Sequence, residues 1–455
     1  MKALFTRPWS RKEFIKFITP SALSILSISL YMAVDAIFIS RFVGTLAMAS
    51  VNIIMPLYCF SLGIGIMVAS GSSAIIGIEL GEEKHDIANS HFSFIFCFLF
   101  AVFSGIIVSG YLIGVERLSL WLGATEKLLP YCVEYLNIFL LGIAALTVQM
   151  FFEFTIRLDG KPSWAFYTSL VGGGINVILD YLLIVRFDMG IQGAAIASVS
   201  GIVASCLFGA SYFLFTRSTL RPVRPLIDFR FLCNSMINGS SEMISEVSSG
   251  VKTLLFNYII IRYAGESGVA AMSIVMCIFF LLSSLYIGLS MGVSPVISFN
   301  FGSKNFEKIR ELLSMSMQLT LLIAALSFVV GMFYGDVLVL LFAKGQDQVI
   351  PLAEKGMMIV AASFLINGIN ILGSAFFTSV NNGKISALMS ALRTFVFTLG
   401  FAAILPLFMG MDGVWLSIPA AEAVTLLVTF YFMMKYKGVY LGIKEIAPST
   451  VSSLI

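Results

Sequence analysis

Charge is what this 455-residue chain has least of: Asp, Glu, Lys and Arg make up 12% of it, about half the ~25% usual in soluble domains. A solvated globular surface over most of the length is thereby excluded. Histidine is almost missing; His85 and His91 are the only two, and they lack the H-E-x-x-H spacing of an intramembrane metalloprotease. No G-x-x-x-x-G-K-[ST] loop is present, since neither Gly160-Lys161-Pro162 nor Gly383-Lys384-Ile385 qualifies. The one Gly-x-Ser-x-Gly match, Gly288 to Gly292, lies inside a long apolar run and not at the strand-to-helix turn that a nucleophile elbow needs. The six cysteines (Cys59, Cys97, Cys132, Cys206, Cys233, Cys277) stand singly, without C-x-x-C or disulfide spacing, and read as reduced packing residues. These absences exclude the familiar ATP-loop, metalloprotease and serine-hydrolase chemistries, so the chain is expected to be no enzyme. Nothing in it asks for an organic cofactor or a nucleic-acid partner.

Apolar residues fill the space that charge vacates, 58% of the chain. Runs of 20 or more recur from end to end, each able to cross about 30 Å of hydrocarbon at ~1.5 Å per helical residue. A transmembrane barrel would show short alternating segments instead. Twelve spans are expected, near 14–40, 47–78, 90–115, 131–156, 164–186, 190–216, 230–262, 268–300, 312–334, 352–378, 385–408 and 411–434. With these boundaries, 19 of the 28 Lys and Arg fall on the side that holds the N-terminus. The other side holds Arg41, Arg117, Lys127, Arg186, Arg262, Lys344 and Lys355, and only Lys252 and Arg393 lie more than one turn inside a span. By the positive-inside rule both termini are cytoplasmic. The opening "MKALFTRPWSRKEF" reads as a basic, amphipathic lead-in. Its following span is too long for a signal peptide.

The sequence also repeats. "ASGSSAIIGIELGEEK" and "GLSMGVSPVISFNFGSK" pair Gly71 with Gly292, Ser73 with Ser294 and Gly81 with Gly302, each 221 apart. Gly160-Lys161 answers Gly383-Lys384 at 223, and "GIQGAA" answers "GMDGVW" at 220. The expected fold is therefore an all-α polytopic membrane protein of two pseudo-symmetric six-helix lobes, residues 1–218 and 219–455. Six spans per lobe give both lobes one orientation, with the substrate site between them near the midplane. The basic stretch "TRSTLRPVRPLIDFR" (216–230) is a solvated cytoplasmic linker.

Ionisable residues inside spans usually face a bundle interior or a water-filled cavity. Here they include Asp35, Glu153, Asp180, Glu242, Glu246, Lys252 and Glu422. Asp180 lies in "GGGINVILDYLLIV" (172–185), where an unpaired carboxylate is costly. Asn176, four residues earlier, shares its face; together they can share a proton, hold a hard cation through oxygens, or merely join helices. Asp35 follows Tyr31 on one face, with Pro20 upstream to bend the span. Span seven carries Asn238, Ser240, Ser241, Glu242, Ser245, Glu246, Ser248 and Ser249, a face that cannot look at lipid.

Order and spacing of "VDAIFISRFVG" in span one, "INVILDYLLI" in span five, "GIQGAAIAS" opening span six and "SPVISFNFGSKNFEKIR" after span eight resemble the multidrug and toxic compound extrusion (MATE) transporters, over nearly the whole chain. The resemblance implies a secondary multidrug exporter, acting as a monomer in a bacterial inner membrane. It would expel small amphipathic or cationic compounds by alternating access, coupled to H⁺ or Na⁺. It also implies an N-lobe cation site of Tyr31, Asp35, Tyr135, Asn176, Asp180 and Ser198, with Pro20 as the bend and Asp35, Asn176 and Asp180 as the ligands if the ion is Na⁺. Ser198 stands where the family has threonine, keeping the hydroxyl. Glu246, with Glu242 beside it, matches an acid that another branch uses for substrate or a second cation. The span-ten aspartate of that branch is replaced here by Asn367 or Asn370. Two readings rival it: a lipid-linked precursor flippase of the same superfamily, whose cavity would favour basic residues over these acids, and an intramembrane enzyme, which the missing catalytic constellations disfavour.

Overall fold

A computed structural model describes residues 1–342 and 348–440; Lys344 and Lys444, both counted above, lie outside them. The described residues are helical almost throughout. Ten helices are long and apolar enough to cross a membrane. We number the spans α1 (Arg11–Val43), α2 (Thr45–Gly81), α3 (His85–Ile113), α4 (Leu129–Leu158), α5 (Pro162–Arg186) and α6 (Gly190–Phe215). Phe229–Gly302 is a 74-residue element made of two helices that meet at Gly265, whose φ of 60° and ψ of −155° no helix contains. Its parts, 229–264 and 266–302, are α7 and α8. Then come α9 (Phe306–Phe333), the pair Ile350–Ala361 and Phe364–Ser379 bent by 55° (α10), α11 (Gly383–Met409) and α12 (Met411–Lys435). Counted with the Gly265 break and the bent pair, the spans number twelve. Pro20 lies inside α1, which runs through it as one 33-residue span.

The chain gathers into two compact units. One takes residues 17–73 and 86–251; the other takes 1–16, 74–85 and the described residues from 252 onward. In the first unit, small residues let α5 and α6 approach closely. A Cβ on Gly172 would sit 1.9 Å from Ser205 Oγ, and one on Gly201 2.7 Å from the Gly172 carbonyl oxygen. Lacking a hydrophobic driving force in lipid, helices rely on such close approach for association. The basic linker is largely exposed but is anchored at several points. Its backbone N–H groups at Arg221, Val223 and Leu226 donate to Asn89 Oδ1 (2.9 Å), Ser93 Oγ (2.8 Å) and Ser90 Oγ (3.1 Å), and Leu220 is buried. Non-helical backbone needs partners for its N–H groups, and the first turns of α3 supply them.

In the second unit, Tyr286, Met357, Phe364 and Trp415 centre the core. The N-terminal lead-in docks here. Phe5 is buried against Phe299, ring centroids 5.6 Å apart, and its carbonyl accepts from Asn300 Nδ2 at 3.1 Å. The C-terminal end of α2 and that of α8 cross in the same unit at Gly81 and Gly302. A Cβ on Gly81 would lie 2.1 Å from the Phe299 carbonyl oxygen, and one on Gly302 2.1 Å from that of Ile78. Each glycine thus faces the carbonyl three residues before the other. The contact is two-fold symmetric.

Candidate functional site

Three stretches of regular helix give way to wider π-type turns: Ile39–Val43 in α1, Asp180–Arg186 in α5 and Leu392–Thr398 in α11. Such turns leave backbone groups out of register and are common at functional positions. Asp180 opens the second, and Arg393 is the second residue of the third.

A cavity of about 100 Å³ lies in the first unit. One water needs ~10–15 Å³ on this scale, so the cavity has room for several waters or a small cation with part of its hydration. Tyr31, Asp35, Tyr58, Tyr135, Gln149, Ser169, Asn176 and Ser198 are its polar lining; Met32, Met55 and Phe139 are among its apolar walls. Gly173 lets the Tyr31 ring in, because a Cβ there would stand 2.8 Å from Tyr31 Cδ1. Tyr135 and Ser198 meet through their hydroxyls. Asp180 is fully buried and lies against the Asp35 carboxyl. Neither acid is in a salt bridge among the described residues.

Asp35 Oδ1, both carboxyl oxygens of Asp180, Asn176 Oδ1 and Gln149 Oε1 are buried without a hydrogen-bond donor. Every such orphan on the cavity wall is an acceptor. Buried polar groups are ordinarily paired, and acceptors alone ask for a donor or a cation. Among the described residues no group of three or more His, Cys, Asp or Glu side chains could hold a metal ion, so a soft or transition metal has no cage here.

Of the residues singled out by sequence, Tyr31, Asp35, Tyr135, Asn176 and Ser198 line this cavity, Asp180 backs it, and Pro20 lies away from its wall. Glu246 falls in the same unit. It backs onto α2, where a Cβ on Gly63 would be 3.5 Å from its own Cβ, and its charge reaches Tyr58 and Cys59. Glu242 lies beside it.

Asn367 and Asn370 belong to the other unit and do not join a carboxyl pair. They are tied into a closed network around a buried ion pair that sequence had not put together. Arg393 donates to Glu422 Oε1 from Nε (2.9 Å) and Nη2 (2.6 Å), and to Asn367 Oδ1 from Nη2 (2.5 Å). Asn370 Nδ2 donates to Glu422 Oε2 (2.8 Å), while Thr429 Oγ1 donates to Asn370 Oδ1 (2.9 Å). Asn367 Nδ2 reaches Ser283 Oγ at 2.8 Å. Gln149 also went unnoticed, though a signal was there: Gln149, Glu153 and Arg157 recur at every fourth position along one face of α4.

The MatE family model matches residues 20–182 and matches again over 243–404, one copy in each half. This chain belongs to the MatE family. The MatE chain is 24% identical to the multidrug export protein MepA of Staphylococcus haemolyticus over 435 residues, covering 94% of each. To MepA of Staphylococcus saprophyticus it is 23% identical over 416 residues, 89% of this chain and 88% of the relative. Among solved structures, it superposes with a TM-score of 0.89 on the outward-facing conformation of a multidrug resistance MATE family transporter of the MOP superfamily, at 21% identity and covering 95% and 97% of the two chains. A MATE structure in the bent conformation gives 0.85 at 20% identity, covering 95% and 96%. These likenesses fix the fold of this MatE chain as that of the MATE transporters.

Proposed function

We propose that this MatE chain is a cation-coupled exporter of small amphipathic or cationic organic compounds, working by alternating access of two six-helix lobes, 1–218 and 219–455. Its place is a bacterial inner membrane, with both termini cytoplasmic. The observation that carries the reading is the set of unpaired acceptor oxygens around Asp35 and Asp180. Two adjacent carboxyls away from water cannot both stay charged without a compensating cation. A cation that must be there, yet is supplied by no basic side chain, is a mobile one.

The coupling ion is the proton, with Na⁺ the alternative. Two carboxyls in contact need share only one proton, with the Tyr31 and Tyr135 hydroxyls beside them; Na⁺ would draw on the oxygens of Asp35, Asn176 and Asp180. Glu422, in the other unit, offers no such place for a mobile cation, because Arg393 already pairs with it. Cargo export is supported by the kinship with MepA and by the Met and aromatic walls, which suit varied apolar surfaces.

Reconstituted protein in proteoliposomes tests this under separately imposed pH and Na⁺ gradients. A pH gradient without Na⁺ should drive export, and Asp35→Asn or Asp180→Asn should abolish it while the protein still inserts. Full efflux by both single variants would sink the coupling site. Strict Na⁺ dependence with no response to a proton gradient would reverse the choice of ion.

A further inference from the structure

The cavity acids have a neighbour whose orientation is fixed from outside the cavity. On α4, Arg157 Nη2 donates to Glu153 Oε2 at 3.0 Å. The other oxygen, Glu153 Oε1, accepts from Ser169 Oγ at 3.1 Å and from Gln149 Nε2 at 3.2 Å. Arg157 and Glu153 are each 1% exposed and Gln149 5%. Every contact on the Glu153 carboxyl is one it accepts, Oε2 from Arg157 and Oε1 from Ser169 and Gln149, and an accepting oxygen meets the NH₂ end of an amide rather than its oxygen. Turning the Gln149 amide over would set its oxygen against Glu153 Oε1, acceptor against acceptor. Its NH₂ therefore stays on Glu153, and Oε1 is left as one of the orphaned acceptors on a side chain that lines the cavity.

We infer that Gln149 is a further ligand of the mobile cation in the Asp35–Asp180 cavity, with Glu153 and Arg157 as positioning residues that aim its oxygen. This rests on the coupling-site reading above and adds a neutral donor atom to it. A glutamine in a span could serve as simple interhelical glue, but glue would satisfy its carbonyl. The ion pair also explains its own burial. Arg157 has two further nitrogens, Nε and Nη1, buried without acceptors, an expensive arrangement for structure alone. It becomes intelligible if the guanidinium is needed to fix the Glu153 carboxyl, and through it the Gln149 amide, beside the cavity. The ligand class is a hydronium ion or a small alkali cation with its water, as the cavity size requires.

The test is Gln149→Met, nearly equal in volume and without a carbonyl, in proteoliposomes. The half-saturating concentration of the coupling ion should rise ~10–100-fold, the usual worth of a hydrogen bond to a charged partner. Equilibrium binding of a fluorescent cationic cargo to the purified protein should stay within about two-fold. An unchanged ion requirement would overturn the inference, and so would an equal loss of cargo affinity, which would make Gln149 a cargo contact. If Gln149→Met does not fold, Gln149→Asn, which withdraws the oxygen by one methylene, is read the same way. In the Gln149→Met background, Glu153→Gln should add nothing to the ion requirement; a full additional loss would show that Glu153 acts by another route. Asp180→Asn run alongside separates the two levels. If it leaves gradient-driven efflux intact, the coupling site itself fails; if it abolishes efflux while Gln149→Met changes nothing, only the role of Gln149 fails.

Discussion

Replacing Arg393 by methionine removes the cation from a closed network and exposes the cost of its parts. Glu422 Oε1 loses both of its guanidinium donors and Asn367 Oδ1 loses the Nη2 bond, whereas Glu422 Oε2 keeps Asn370. Breaking one side of a buried ion pair costs ~3–5 kcal/mol. The Arg393 side chain is 25% exposed and that of Glu422 7%, so the lower end, about 3 kcal/mol, applies. Adding Glu422→Met withdraws the stranded charge. Asn370 Nδ2 still has the backbone carbonyl of residue 422 at 3.0 Å, and the main remaining orphan is Asn367 Oδ1, at ~1–3 kcal/mol. The double variant should therefore be more stable than Arg393→Met alone. Denaturant unfolding in mixed micelles, with both single variants and the double, measures this as a coupling energy of about 2 kcal/mol or more. Simple additivity of the two single losses would refute the claim that the pair neutralises itself, and Glu422 would then be open to a cation from outside.

Glu246→Gln should change affinity for cationic cargo or the ion requirement in purified protein, given its reach to Tyr58 and Cys59; if neither moves, its role is structural and Glu242 is the next candidate. Gly81→Ala places a Cβ where the helices must part by about 1 Å to clear the Phe299 carbonyl, at a cost of ~1–3 kcal/mol. Since one parting relieves both sides, Gly302→Ala added to it should cost less than it does alone, and full additivity of melting shifts would contradict the shared contact. Near the C-terminal end of α2, the Lys2 ammonium hydrogen-bonds and attracts Glu83, holding that carboxyl below its ordinary range. Its stabilisation is present above the unfolded carboxyl value of ~4.3 and fades as pH falls through the folded value. Lys2→Met should thus flatten the melting curve between about pH 3 and 5 at low salt, and an unaltered profile would show the pair to be inert.

Long apolar runs made the spans legible, because hydrocarbon thickness and helical rise leave little choice of length. Even the join of α7 and α8 was visible: the expected gap between 262 and 268 holds Gly265. Asp35, Asn176 and Asp180 could be named because polar groups in apolar spans must face something other than lipid, whereas Ser198 and the role of Tyr135 came with the family resemblance. Arg393 and Glu422 could not be joined in advance, being 29 residues apart on helices whose rotation no local pattern specifies. Gln149 was passed over for a different reason. A neutral amide carries no charge to draw notice, and its importance depends on which of its two ends a neighbour has already taken. The linker's anchoring to α3 was not legible, because exposed basic residues say nothing of where the backbone N–H groups between them donate.

The Gly81–Gly302 crossing has a consequence for the history of the chain. Elsewhere the two halves have drifted until few positions match, since each lobe packs against its own neighbours. At this crossing the two copies of one ancestral position meet face to face, each making the same demand for a missing side chain on the other. A duplicated gene usually frees one copy to wander; a contact between the copies withdraws that freedom from both. The 221-residue echo survives here because neither half could lose it alone.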